Sequence, residues 1–150
     1  MENFRMFRAP LIPLLAVVLL AASTAQAAEI ELTAGMYRIT AEVANTDASR
    51  ERGLMHRREM ADGHGMVFVF PSDESYCMWM QNTLIPLAVA FLDDKGAITN
   101  IEEMQPQTRT PHCAKRPARY ALEMNGGWFQ RRGIAPGSPL GGIDKLPPAQ

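Results

Sequence analysis

Residues 87–104, LAVAFLDDKGAITNIEEM, carry the reading that decides the fold. Leu87–Leu92 is an apolar run of strand length, Asp93-Asp94-Lys95-Gly96 has turn composition, and Ala97–Met104 returns as a second strand. The two read as a β-hairpin. Just upstream, Tyr76–Pro86 (YCMWMQNTLIP) gives another strand at Cys77–Met80, with Trp79 between two methionines, followed by the polar pair Asn82-Thr83 at a turn.

The pattern continues toward the N-terminus. Glu29–Leu32 reads as a short strand and Ala34-Gly35 as a turn. Met36–Ala44 alternates, with Tyr37, Ile39, Ala41 and Val43 on one face and Arg38, Thr40 and Glu42 on the other, as a half-buried strand does. Asn45-Thr46-Asp47 caps one or two helical turns over Asp47–Arg52, which Gly53 ends. Leu54-Met55 is an apolar plug in a charged neighbourhood, and Met66–Phe70 is a strand ended by Pro71-Ser72-Asp73.

Toward the C-terminus, Gln105–Pro117 has three prolines and no apolar periodicity, so it reads as a long surface loop carrying Cys113. Arg119–Met124 is a further strand and Trp128–Arg132 a short helix. Six or more short strands with two brief helices predict a mainly β domain, an antiparallel β-sandwich or barrel.

Residues 1–27 read as an export signal: Arg5 and Arg8 precede a 12-residue apolar run, Leu11–Ala22, and then the small-x-small triplet Ala25-Gln26-Ala27. A retained anchor is the competing reading of the same run, which is short for a membrane span. Residues 28–150 are then expected to form a single β-rich domain, soluble and periplasmic or secreted. Without Arg5, Arg8 and Glu2, thirteen basic and fifteen acidic side chains remain of the 15 and 16 in the whole chain. No basic patch stands out, which argues against a nucleic-acid partner.

Cys77 and Cys113 are the two cysteines, 36 positions apart. An even count in an exported chain favours a disulfide, worth roughly 3–4 kcal/mol for a loop of this size. Free thiols or a metal-bound pair are the alternatives. Met78, Met80, His112 and Cys113 are donors soft enough for Cu(I). Against a copper site, Met78 and Met80 share one face of a strand and suit a core, and the histidines lack any ligand spacing. No metal or cofactor is therefore expected.

No nucleophile elbow surrounds Ser72, Ser75, Cys77 or Thr83, and the carboxylates Glu102, Glu103 and Glu123 show no catalytic spacing. Asn82 and Thr83 have two readings. Either they bond their own turn, or they line a concave site with Arg57, Trp79 and Glu123.

With these blocks in place, the chain resembles the domain of unknown function 192 family, mostly bacterial and archaeal proteins that are often exported. The resemblance rests on Arg52-Gly53-Leu54-Met55 with Arg57, on Gly65-Met66 with Phe68 and Phe70, and on Trp79-Met80 with Asn82-Thr83 and Pro86-Leu87. Gly96, Ile98, Leu122-Glu123, Gly127 and Gly137 continue it, over about residues 38–140. It implies a compact β domain of jelly-roll type and no established activity. It also places Arg57, Trp79, Asn82, Thr83 and Glu123 on motif positions, as candidates for a shared binding site. The family often has an aspartate after Pro-Leu, where this chain has Ala88. The cysteine pair looks like the mark of a subgroup, consistent with a disulfide.

The expectation is thus an exported binding or accessory domain whose partner is a small molecule or an envelope component. An envelope hydrolase is the first alternative and a periplasmic copper-binding protein the second.

Overall fold

The computed structural model describes residues 28–150; the expected export signal lies outside them. Seven strands form one sheet and two more form a small ribbon. In chain order the elements are β1 (Glu29–Ala34), β2 (Tyr37–Ala44), α1 (Asp47–Arg52), β3 (His64–Glu74), β4 (Cys77–Met78), β5 (Leu87–Leu92), β6 (Ile98–Met104), β7 (His112–Cys113), β8 (Ala118–Asn125), α2 (Trp128–Arg131) and β9 (Leu140–Gly141), before a 3₁₀ turn at Ile143–Lys145. The sheet order is β6-β5-β8-β3-β2-β1-β9.

The fold is mainly β with two short helices, as the sequence predicts. One pair departs from the antiparallel rule: β2 and β3 run parallel, from Thr40↔His64 to Ala44↔Phe68. The reason is the crossover between them. Thr46 and Ser49 form a reciprocal capping box that starts α1, and Gly53, at φ 46°, ends it. The chain then returns along the outside of the sheet instead of turning tightly. A parallel pair needs such a connection.

The sheet curls until its edges meet. Gly137 N–H donates to the Ile98 carbonyl at 2.7 Å, Ile98 N–H to Ser138 at 3.0 Å, and Leu140 N–H to Gly96 at 2.9 Å. Leu140 and Gly141 also pair with Ala34 and Thr33 of β1. Residues 137–141 therefore tie the β6 edge to the β1 edge and make a half-barrel closed at one end. The sequence suggests only a Gly- and Pro-rich tail here.

Strands β3, β5 and β8 are buried on both faces. Val67, Val69, Ala90, Leu92, Leu122 and Met124 point into one core, completed by Trp128, Phe129, Leu140 and Ile143. Met66, Phe68, Val89, Phe91 and Ala121 point into a second core, covered by Leu54, Met80, Met104 and Ala114. Gly65 makes the β3–β8 seam possible, because a Cβ there would overlap the Glu123 carbonyl oxygen and the Met124 sulfur.

The strand expected at Cys77–Met80 is only two residues long and leaves the main sheet to pair with β7, which lies inside the expected loop. Cys77 and Cys113 sit opposite each other and are joined by a disulfide. Ala114 N–H donates to Tyr76 O at 2.8 Å, Asn100 Nδ2 to Cys113 O at 3.2 Å, and Tyr76 stacks on Phe70 at 3.8 Å. Replacing both cysteines by serine should lower stability by about 3–4 kcal/mol while the far-ultraviolet circular dichroism stays β-like. Urea unfolding measures the loss, and an unchanged midpoint would mean that the hydrogen bonds alone hold the ribbon.

Candidate functional site

The cover over the second core is incomplete and leaves an open cavity of about 600 Å³. Residues 48 and 50–52 of α1 form one wall and Cys77, Met78 and Trp79 the other. Gly53, Leu54, Met55, His56, Phe68, Thr83 and Glu123 complete the lining. Local chain geometry explains the shape. Gly53 lies over the Phe68 ring, where a methyl group would sit in ordinary contact at 3.4 Å. His56 and Asn82 both adopt left-handed backbone, at φ 64° and 56°, and His56 N–H donates to Asn82 O at 2.8 Å. That bond ties the loop after α1 to the loop before β5.

Glu123 sits mid-strand on β8 with Met66 and Val89 as its neighbours in register. It is 4% exposed, and among the described residues no group hydrogen-bonds its carboxylate. Burial therefore pushes its pKa from 4.5 up to about 8, so that it holds a proton at neutral pH. Thr83, also 4% exposed, donates its hydroxyl to Gln81 O at 3.3 Å, and among the described residues no group donates to its oxygen, which can accept. Trp79 is 51% exposed, unusual for so large an aromatic in a well-packed domain.

Of the residues expected from the sequence, Trp79, Thr83 and Glu123 come together around this cavity. Arg57 and Asn82 do not line it. Arg57 lies beside a smaller hollow and donates to Glu42 at 2.6 Å. Glu42 and Glu123 flank Met66 in one row across the sheet, so Arg57 neutralises one acid and leaves the other without a cation. Asn82 contributes its backbone carbonyl, and its side chain is exposed.

The sequence reading missed the α1 wall and the floor made by Gly53, Leu54 and Phe68. Their signal was present in the Arg-Gly-Leu-Met block and in the apolar pair set among charges. Ala88 faces the first core, on the opposite side of the sheet from Glu123, so an acid at that position would not enter the cavity.

The expected copper donors do not assemble. Met80 is fully buried in the second core and the Cys113 sulfur is spent in the disulfide, although Met78 and His112 do face each other across the ribbon. The other candidate groups for chemistry have structural partners. Ser75 bonds Ala114 O at 2.8 Å, Ser72 bonds Glu74 at 2.5 Å, and Glu103 accepts Gly127 N–H at 2.9 Å. Among the described residues no helix is long and apolar enough to cross a membrane.

The fold and the site together define a small half-barrel β domain with an open cavity lined in part by a buried carboxyl. The chain belongs to the DUF192 family, described as an uncharacterised ACR, whose profile matches residues 29–142. A solved protein of unknown function from Novosphingobium aromaticivorans DSM 12444 shares 32% identity at a TM-score of 0.75, over 79% of this chain and 88% of that one. A candidate transcription regulator from Sinorhizobium meliloti 1021 shares 36% identity at a TM-score of 0.69, over 75% of this chain and 90% of that one. No curated protein matches the chain significantly.

The Glu123 carboxyl makes stability depend on pH. Unfolded, it loses its proton near 4.5; folded, it keeps it to about 8. The folded state holds the extra proton between those values, so this contribution is intact below 4.5 and is lost as pH rises through about 8. Glu123→Gln should match the native protein in acid and gain on it by up to about 1.4 kcal/mol per pH unit across the window. Urea unfolding in acidic, neutral and alkaline buffer tests this; two parallel profiles would show an ordinary carboxyl.

Proposed function

We propose that this chain is an exported, soluble domain that binds a small molecule in the cavity between α1 and Trp79. The observation that carries the reading is Glu123, a buried carboxyl with no partner among the described residues that opens onto a largely apolar pocket beside a half-exposed tryptophan. Unpartnered buried polar groups are costly, and a strongly shifted group in a cleft marks a functional site. The cavity volume falls within the range of small-molecule sites. The charged-apolar-small pattern of residues 1–27 and the disulfide support export to an oxidising compartment. The balanced charge, 15 basic against 16 acidic side chains, speaks against carrying a DNA-binding role over from the Sinorhizobium relative.

A second reading rests on the same acid. Glu123 has the environment of a general acid, and Glu51 is a second carboxylate on the cavity wall, in an exposed setting. Two acids held in contrasting environments are the arrangement of acid–base hydrolases. Under this reading Glu123→Gln binds an envelope glycan but does not cleave it.

A panel of periplasmic metabolites, screened by tryptophan fluorescence and thermal shift, tests the binding reading. Trp79 is exposed while Trp128 is buried, so a ligand in the cavity should perturb Trp79 alone. At 100-fold saturation it should stabilise the fold by about 2.7 kcal/mol. Trp79→Ala should erase the optical signal with little change in the melting temperature of the free protein. A large melting loss in that variant, with no ligand found, would make Trp79 structural and remove the reading.

A further inference from the structure

Resting on the binding reading above, we infer that the ligand is an uncharged saccharide whose flat apolar face lies on Trp79 while its hydroxyl edge meets Glu123 and Thr83. The chemistry of the lining selects this class by elimination. A wholly apolar ligand, such as an acyl chain, would strand the Glu123 carboxyl and the Thr83 hydroxyl without partners, which is costly for groups only 4% exposed. An anion finds no available cation at depth. The Arg50 guanidinium is spent on Asn45 O at 2.7 Å, Val69 O at 2.9 Å and Asp47 at 2.6 Å, and Arg52, on the cavity wall, is exposed to water and not at depth. An organic cation would have to expel the Glu123 proton, which burial holds in place up to about pH 8.

What remains is a neutral ligand that is apolar on one side and both donor and acceptor on the other. A pyranose ring has that division. Its axial C–H groups suit one aromatic platform, and the cavity offers one at its exposed wall, since the Phe68 ring is buried under Gly53. Its hydroxyls both give and take. The protonated Glu123 carboxyl donates one hydrogen bond and accepts another, while the Thr83 oxygen accepts a third.

Binding should then be coupled to the Glu123 proton. The charged and titratable groups facing this side of the sheet are Arg50, Glu51 and Arg52 on α1, His56 after it, the Glu42–Arg57 pair beyond Met66, and Glu102 beyond Val89. None of them bonds Glu123 among the described residues. The carboxyl titrates through its own desolvation.

The test is calorimetric and fluorescence titration of the mature protein with N-acetylglucosamine oligomers, maltotetraose and cellotetraose, alongside co-sedimentation with peptidoglycan sacculi. At least one oligosaccharide should bind with constant affinity below about pH 8 and lose about tenfold per pH unit above it. Glu123→Gln, which keeps a neutral donor, should retain binding and flatten that profile; Trp79→Ala should weaken binding by about tenfold or more. Oligomer binding without sedimentation assigns a free sugar, and both together assign the envelope polymer. Binding of choline or another organic cation instead, strengthening through pH 8 and abolished in Glu123→Gln, would overturn the saccharide class and leave the cavity reading standing. Silence from every probe, with both variants indistinguishable from the native protein, would overturn both.

Discussion

Three neighbouring strands with no polar face have to be covered twice. Residues 64–70, 87–92 and 118–124 lie side by side, and almost every side chain along them is withdrawn from water. A sheet of this kind is stable only when something packs on each side. Here two unrelated parts of the chain do so. The C-terminal segment, with Trp128, Phe129, Leu140 and Ile143, closes one side, and a patchwork of Leu54, Met80, Met104 and Ala114 closes the other. The first cover is continuous. The second is assembled from three loops and the end of β6, and the gap it leaves is the cavity.

The gap coincides with the one charged residue type that the central strands cannot easily carry. Along the row Glu42–Met66–Glu123–Val89–Glu102, the outer acids have cations: Arg57 on Glu42 and Lys115 at 3.7 Å on Glu102. Among the described residues the middle acid has none. Placing an unpaired carboxyl at the centre of a sheet opposes folding at neutral and alkaline pH, so its retention makes sense as chemistry directed at the cavity. The disulfide ribbon bears on the same place, because β4 leads directly into Trp79.

Much of the fold was legible because period-2 alternation and turn residues are local signals. The β5–β6 hairpin, the alternating β2 and the capped α1 all follow from short-range patterns, and each is where the sequence puts it. The parallel β2–β3 pair and the tail strand β9 were not legible. Both depend on contacts between distant segments, and a two-residue strand such as Leu140–Gly141 has no periodicity to read. The candidate site divides in the same manner. Trp79, Thr83 and Glu123 could be singled out by residue type and family position, and the structure gathers them around one cavity. Arg57 could not be separated from them by sequence, since only the fold reveals that Glu42 is its partner. Gly53 and Phe68 look like ordinary turn and core residues until the loop is seen lying on the ring.

The tie at residues 137–141 bears on how the chain folds as it is made. Thr33 pairs with Gly141, more than a hundred positions away, so the β1 and β6 edges stay unsealed until nearly the whole described domain has been synthesised. Pairings of that sequence separation form slowly. While it is being made the chain lacks its clasp, so the half-barrel cannot close at that end before the last strand is available. Once the clasp closes, the backbone at that end of the half-barrel is satisfied internally, and little exposed edge remains there to template pairing with another copy.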